Sequence, residues 1–297
     1  MQQLRSVVFC LCVLSLLMAA AVARSEETVH TERSLYRNIL VYDDNGMRCM
    51  KFSRAATAGR QSCRKLNDPD RLVFHYTQMI MGALYLDPEP RRVLILGLGG
   101  GTLPTTFAAL PSTANVDVVE IDPAVTRVAQ KYFEFKPSGK IHVYEEDGRV
   151  FVKRALRNGA HYDLVVLDAF DQEYIPEHML TREFLTEVKG LLGSDGVLAA
   201  NTFSNSRLYD YESATYQAVF GEFFNLRSDN RVILTRMGGL PSRETLERNR
   251  GVVSPRLSQI GVDTQWVMSL LSTQRDWRPD ARVLTDQYSP SNLLNVQ

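Results

Sequence analysis

Short apolar runs alternate with stretches of helical spacing through the middle of the chain. The apolar runs predict five buried strands, at residues 93–96, 116–121, 141–144, 164–167 and 196–200. The intervening stretches predict helices near residues 103–110, 123–133, 148–157 and 181–192. Strands that alternate with helices of about 10 residues are joined by right-handed crossovers, so the pattern predicts an α/β fold with a parallel sheet. A further helix near 212–224 and a strand near 231–236 are expected after it.

Residues 34–66 have the pattern of a small β unit. Residues 40–42 and 47–52 are apolar runs that flank Asn45-Gly46, and this dipeptide is a strong hairpin signal. Residues 60–65 predict a third strand. Asp68-Pro69-Asp70 then predicts a turn and a helix cap, with one amphipathic helix over residues 71–86. We therefore predict a small β domain over residues 24–70 and a larger domain over residues 71–297.

The first residues differ from the rest of the chain. Arg5 is followed by an apolar run from Val7 to Ala23 that ends Ala21-Val22-Ala23. A basic start, an apolar middle and a small-residue end are typical of a secretory signal peptide. At about 17 residues the run is at the short limit for crossing a bilayer. We predict a signal peptide over residues 1–23 and an exported protein, with an uncleaved membrane anchor as the alternative.

Charge and cysteine content narrow the function classes. Lys plus Arg equals Asp plus Glu at 34 each, which disfavours an extended nucleic-acid surface because that surface needs a basic surplus. Cys49 and Cys63 remain after the first segment, and they are either disulfide-bonded or two separate buried thiols. If residues 60–65 form a strand, these two cysteines lie on neighbouring strands. No cysteine or histidine spacing indicates a metal site.

Candidate binding residues follow the first three strands of the predicted parallel sheet, where ligands bind in such folds. Gly97, Gly99 and Gly101 belong to a glycine-rich loop that either approaches a nucleotide or simply makes a tight turn. Glu120 ends the second strand at a spacing that suits the hydroxyl groups of a ribose; the alternative is a surface acid or a helix cap. Asp147-Gly148 ends the third strand, and Asp147 either accepts from an adenine amino group or caps a helix.

Two further carboxylates, Asp168 and Asp171, follow the fourth strand. Paired carboxylates at the mouth of a sheet indicate cation binding or a general base, and the alternative is a solvated acidic loop. His178 precedes the next helix and is expected to pack or cap rather than to catalyse.

Taken in order, these motifs resemble the polyamine aminopropyltransferase (spermidine synthase) family, and most closely its bacterial spermidine-synthase-like branch. The resemblance covers most of the chain after the first segment. It is carried by residues 60–62, 76–80, 97–101, 119–122, 146–148, 163–171, 175–181 and 284–290.

The resemblance implies a Rossmann-like adenosylmethionine-type fold, with a seven-stranded sheet, a small amino-terminal β domain and a homodimer. It also implies transferase activity in polyamine biosynthesis. In this reaction an aminopropyl group moves from decarboxylated S-adenosylmethionine to an amine such as putrescine.

The resemblance further assigns residue roles. Glu120 would hold the ribose and Asp147 the adenine of the donor. Asp171 would be the base, supported by Asp168. Gln61 and Tyr76 would line the shared cleft.

Gly100 leaves two other functions open, because the family usually carries at this position an aspartate that binds the donor's ammonium group. A methyltransferase that uses intact S-adenosylmethionine is one alternative, on the expectation that Gly100 leaves room for its carboxylate. A non-catalytic exported protein that binds polyamines or nucleosides is the other, and it is motivated by the predicted signal peptide together with the acidic residues at the mouth of the sheet. On the acceptor side, where the loop after Asp171 also differs from the family pattern, the substitute residues considered are Glu173, Tyr174, Glu177, Asp286 and Tyr288.

Overall fold

A computed structural model describes residues 26–52, 59–169, 176–202 and 204–294. The predicted signal peptide and the predicted base Asp171 lie outside these residues.

The amino-terminal part is a four-stranded antiparallel sheet in which each strand pairs with the next along the chain. Its strands are β1 (Glu27–Arg33), β2 (Asn38–Asp44), β3 (Met47–Lys51) and β4 (Ser62–Lys65). The predicted hairpin is confirmed, since Asn45 and Gly46 both have positive φ angles, 50° and 76°, at the β2–β3 turn. Cys49 and Cys63 occupy paired positions on β3 and β4 and form a disulfide.

The larger sheet has seven strands in the order β10-β11-β9-β8-β5-β6-β7. They are β5 (Arg92–Leu96), β6 (Asn115–Glu120), β7 (Ile141–Glu145), β8 (Tyr162–Leu167), β9 (Leu192–Thr202), β10 (Phe224–Arg227) and β11 (Arg231–Arg236). Strands β5 to β9 are parallel to one another, as predicted, and β11 and β10 add an antiparallel hairpin at one edge. The predicted fold class is confirmed.

Helices cover both faces of this sheet. They are α1 (His75–Ile80), α2 (Ala83–Leu86), α3 (Thr102–Ala108), α4 (Pro123–Tyr132), α5 (Gly148–Arg157), α6 (Arg182–Leu191), α7 (Tyr209–Phe220), α8 (Arg243–Gln259), α9 (Thr264–Leu270) and α10 (Ser291–Leu294). Val93 and Ile95 of β5 face one apolar layer while Leu94 and Leu96 face the other, because alternate residues of a strand point to opposite faces. Among the described helices, none combines the length and the apolar character needed to cross a membrane.

The prediction of one helix over residues 71–86 is wrong. The segment before His75 is extended, and the N–H group of Leu72 donates to the carbonyl oxygen of Ile260 at 2.8 Å. The helix therefore begins at His75, after Phe74, and not at the predicted cap Asp70. The helix is then interrupted near Gly82, where an added Cβ would lie 2.9 Å from the carbonyl oxygen of Met79.

The two sheets share a core. Ile39 and Met50 of the small sheet pack with Val125 and Val128 of α4, which belongs to the larger sheet's layer. The boundary at residue 70 between two domains stays a prediction.

Candidate active site

A cavity of about 840 Å³ lies at the carboxyl ends of all five parallel strands, and the start of β4 forms its opposite wall. Eight of the ten predicted site residues line it: Gln61, Tyr76, Gly97, Gly99, Glu120, Asp147, Gly148 and Asp168. Gly101 is not among the lining residues, and Asp171 lies outside the described residues. The predicted motifs therefore meet at one place although they span over a hundred positions of the chain.

The glycine loop needs its glycines for different reasons. Gly97 has a φ of 106°, and an added Cβ would lie 2.1 Å from the carbonyl oxygen of Asp168. Gly101 has a φ of 82°, and an added Cβ would lie 2.4 Å from Cδ2 of Phe135. Gly97 therefore lets β5 and β8 end side by side, whereas Gly101 lets the loop pack on Phe135 behind the cavity.

Gly100 does not open extra space in the cavity wall. An added Cβ there would lie 2.6 Å from Oγ of Ser62 and 2.9 Å from Cδ1 of Phe133. The volume that a side chain at position 100 would take is already filled by these two residues. The expectation that Gly100 leaves room for a carboxylate of the ligand stays a prediction.

Glu120 is held in place by the backbone around it. Its Oε2 accepts from the N–H group of Leu98 at 3.2 Å, and its Oε1 accepts from the N–H group of Asp122 at 3.0 Å. Burial raises the pKa of the carboxyl group, and these two hydrogen bonds oppose that rise. Because each carboxylate oxygen has two lone pairs, both oxygens retain capacity for hydroxyl groups of a ligand.

Asp147 takes one of the two roles that its sequence position left open, the helix cap, and its adenine-binding role stays a prediction. Its Oδ1 accepts from the N–H groups of Arg149 and Val150 and so caps α5. Its Oδ2 lies 2.9 Å from Nε2 of His178, which also lines the cavity. Capping uses one oxygen, and the other faces the side of the cavity where His178 stands.

Asp168 lies at the end of β8 with a donor on each carboxylate oxygen. The hydroxyl group of Tyr76 donates to Oδ2 at 3.3 Å, and Nδ2 of Asn201 donates to Oδ1 at 2.9 Å. Burial raises the pKa of Asp168 from its ordinary value of 3.8 to about 7, against the opposite effect of the two hydrogen bonds. The group therefore titrates near neutral pH, where a proton acceptor is most useful.

Tyr76 of α1 and Gln61, which precedes β4, also line the cavity. Burial, and then the neighbouring Asp168 carboxylate, raise the pKa of the Tyr76 hydroxyl, so Tyr76 stays a hydrogen-bond donor at neutral pH. The backbone N–H group of Gln61 donates to the carbonyl oxygen of Met50 at 2.8 Å, which fixes the segment that enters β4.

Asn201 and Asn230 were not predicted as site residues. Asn201 follows the fifth predicted strand, and the strand-end rule that located Glu120 and Asp147 applies to it equally. Asn230 precedes β11 in a turn where no apolar pattern or charge marks it.

Two of the substitutes considered for the acceptor side are engaged elsewhere. Asp286 accepts two hydrogen bonds from Arg149, at 2.7 and 2.8 Å, and one from the hydroxyl group of Thr181. The Arg149 guanidinium lowers the pKa of Asp286. Tyr288 lies 3.5 Å below the guanidinium of Arg282. Neither lines the cavity, and Glu173 and Tyr174 lie outside the described residues.

Within the described ranges, no group of three or more His, Cys, Asp or Glu side chains is arranged to hold a metal ion. The side chains around the cavity are suited instead to an organic ligand, with hydrogen-bonding carboxylates on both sides and apolar residues such as Leu98 and Met179 between them.

The chain is similar to known proteins in both sequence and fold. Residues 73–233 match the family model described as the spermine/spermidine synthase domain. A polyamine aminopropyltransferase of Vibrio vulnificus (strain CMCP6) is 45% identical over 271 residues, which cover 90% of this chain and 91% of that protein.

Two solved structures share the fold at lower identity. A spermidine synthase in complex with the transition state analogue AdoDATO gives a TM-score of 0.63 at 14% identity, covering 84% of this chain and 85% of that one. Human methyltransferase-like protein 13 in complex with SAH gives a TM-score of 0.54 at 24% identity, covering 75% and 100%. Structural likeness alone does not separate the two functions, but the family model and the Vibrio relative do. The chain belongs to the spermine/spermidine synthase family.

Proposed function

We propose that this chain is a polyamine aminopropyltransferase that uses decarboxylated S-adenosylmethionine as donor and an amine such as putrescine as acceptor. The observation that carries the proposal is the division of the cavity. Backbone-held Glu120 and Asp147 follow adjacent strands on one side, and Asp168, with a pKa of about 7, stands beside the glycine loop on the other.

The amine attacks the donor directly, so the reaction requires little covalent chemistry from the protein. The lone pair of the amine nitrogen attacks the aminopropyl carbon next to the sulfonium, a C–N bond forms and the C–S bond breaks. Methylthioadenosine leaves as a neutral thioether, and the nitrogen loses one proton. A protein can contribute the alignment of the two reactants and a nearby proton acceptor.

The donor would occupy the side formed by β5, β6 and β7. Gly97 and Gly99 bring the backbone close to the ligand, and Glu120 has lone pairs left for both ribose hydroxyls. Oδ2 of Asp147, next to His178, is the acceptor suited to an adenine amino group. Intact S-adenosylmethionine shares this adenosyl part, so the assay must compare the two compounds.

The acceptor amine would approach Asp168 from the side of Tyr76. An amine is protonated near pH 7 and attacks only after losing a proton, which a carboxylate near its own pKa can accept. We assign Asp171 as the base and Asp168 as the group that supports it, and both assignments are to be tested by substitution.

Product analysis of the purified protein tests this function. With decarboxylated S-adenosylmethionine and putrescine, we expect methylthioadenosine and spermidine in equal amounts. Methyl transfer from intact S-adenosylmethionine to the same amines, without aminopropyl transfer, would overturn the proposal. Binding of both reactants without any product would favour the non-catalytic alternative.

Export and dimer formation are separate proposals. Residues 1–23 motivate export, and fractionation of the producing cells tests it: protein that stays in the cytoplasm contradicts it. The family resemblance motivates a homodimer, and sedimentation analysis of the purified protein distinguishes it from a monomer.

A further inference from the structure

A chain of hydrogen bonds runs from the edge hairpin of the large sheet to Asp168. Nδ2 of Asn230 donates to Oδ1 of Asn201 at 3.3 Å, and Nδ2 of Asn201 donates to Oδ1 of Asp168 at 2.9 Å. The hydroxyl group of Tyr76 completes the chain at Oδ2 of Asp168. Three side chains from different elements thus act on one carboxylate, Tyr76 and Asn201 directly and Asn230 through Asn201.

The sheet register brings the two amides together. In the antiparallel register Arg231 pairs with Thr202 and Val232 with Asn201, so Asn230, the residue before β11, lies diagonally across from Asn201. Arg231 is fully buried, and its guanidinium donates to Oδ1 of Asn225 and to Oγ of Ser213, both at 2.8 Å. These hydrogen bonds hold Arg231 in place, and with it the adjacent turn that carries Asn230.

The direction of this series of hydrogen bonds determines how Asn201 is oriented, because an amide has an acceptor oxygen and a separate amino group that donates. Since Asn230 donates to the oxygen of Asn201, the amino group of Asn201 must face Asp168. With the opposite orientation, two acceptor oxygens would face each other at hydrogen-bond distance. In this arrangement the bond from Asn230 supports the orientation in which Asn201 donates to a charged Asp168 carboxylate.

We propose that Asn201 and Asn230 are positioning residues for aminopropyl transfer, which hold Asp168 as an oriented, ionised carboxylate toward the cavity. Asn201 acts directly on Asp168, and Asn230 acts through Asn201. This assignment rests on the proposed function for its meaning in catalysis, while the hydrogen-bond relationship can be measured without turnover.

The neighbouring elements place the following groups near Asp168. Helix α1 contributes the Tyr76 hydroxyl, and the glycine loop at Gly97 and Gly99 contributes no titratable side chain. The β10–β11 turn contributes Asp229, which pairs with His75 at 3.0 Å. Burial disfavours the charged form of Asp168, so its ionisation near neutral pH depends on its hydrogen-bond donors.

The test is a set of pH profiles of kcat/KM for the wild type, Asn201→Leu, Asn230→Ala and the double variant. Loss of one hydrogen bond to an ionised carboxylate corresponds to about one pH unit. We therefore expect the acidic limb of the Asn201→Leu profile to move up by about one unit, and that of Asn230→Ala to move less in the same direction. In the double variant, the Asn230 substitution should add nothing, because its effect passes through Asn201. Asn158→Ala, at an exposed helix end, is the matched control.

Titration of the Asp168 carboxyl carbon by NMR provides the readout that needs no turnover, with the signal identified by its loss in Asp168→Asn. Upward shifts of its pKa in both single variants support the proposal. A pH-independent fall in kcat with an unchanged carboxyl pKa would overturn it, since that pattern indicates a structural role only. Absence of product from wild-type protein would refute the proposed function, and the titration would still decide the roles of Asn201 and Asn230. If Asn201→Leu fails to fold, Asn230→Ala at its partly exposed site keeps the test decisive.

Discussion

The Cα atom of Gly97 faces the carbonyl oxygen of Asp168 so closely that a Cβ at this position would lie 2.1 Å from that oxygen. The contact joins the end of β5, which begins the glycine loop, to the end of β8, which is followed by Asp168. The glycine loop and the residue after β8 therefore meet at a point where only a hydrogen atom fits on the Cα of residue 97.

Gly97→Ala is expected to disturb both the glycine loop and the end of β8. The substitution adds a clash with backbone and places alanine at a φ of 106°, where a strained residue alone costs about 1–3 kcal/mol. We expect the free energy of unfolding, measured with urea, to fall by at least about 2 kcal/mol. Gly139→Ala is the control, since its Cβ would meet open space, and should change stability by less than about 0.5 kcal/mol. Equal stabilities of the two variants would contradict the close approach at Gly97.

Glu120→Gln is expected to weaken donor binding more than it slows the chemical step. A glutamine amide has one acceptor oxygen, so it cannot keep both backbone N–H bonds and also accept from two hydroxyls. Loss of hydrogen bonds to a charged group predicts a rise of about 10- to 100-fold in the KM for the donor. Glu145→Gln, at an exposed position on the neighbouring strand, should leave KM unchanged. A fall in kcat alone would argue against ribose binding by Glu120.

Asp168→Asn is expected to change stability in a pH-dependent way. Because the pKa of Asp168 is higher in the folded chain than its ordinary value of 3.8, the unfolded chain loses this proton first, and the group's contribution to stability is lost as the pH rises from about 4 through about 7. Asparagine does not ionise, and the Tyr76 hydroxyl can rotate to accept from its amino group.

The melting temperature of Asp168→Asn relative to the wild type should therefore be higher at pH 8 than at pH 5, while aminopropyl transfer falls steeply. A difference in melting temperature that is the same at both pH values would rule out the raised pKa.

Removal of the disulfide is expected to destabilise the small sheet. Cys49 and Cys63 are buried and separated by 14 positions, and a crosslink that closes a loop of this size contributes about 3 kcal/mol in the chain-entropy model. The double variant Cys49→Ala/Cys63→Ala should lose about 2–4 kcal/mol in urea unfolding. A thiol reductant should lower the stability of the wild type and leave the double variant unchanged. A wild type indifferent to the reductant would indicate two unlinked thiols.

The parallel strands and the helices between them could be predicted from sequence because helix caps and apolar spacing indicate the same elements there. Gly148–Arg157 and Arg231–Arg236 are observed with the predicted bounds. Asp147 supplies the helix cap, and the apolar residues after it have helical spacing. In contrast, β1 (Glu27–Arg33) was missed because the sequence ETVHTER is polar and only partly buried, so no apolar run marks it.

The site residues divide in a similar way. Charged residues and glycines at strand ends could be found from sequence. A charged residue directly after a buried strand suggests a ligand contact, and a glycine there suggests a positive φ angle. Asn201 and Asn230 carry no charge and make their contacts through tertiary pairing of β9 with β11, which local patterns do not contain. The filling of the space next to Gly100 by Ser62 likewise depends on how the small sheet docks on the glycine loop.

The hairpin β10–β11 lies at one edge of the large sheet, and it carries the turn with Asn230. Its exchange for a hairpin of different length or sequence would leave the five parallel strands, with Glu120 and Asp147, intact. Changes at this edge can therefore alter the hydrogen bonds that lead to Asp168 while the opposite side of the cavity stays the same.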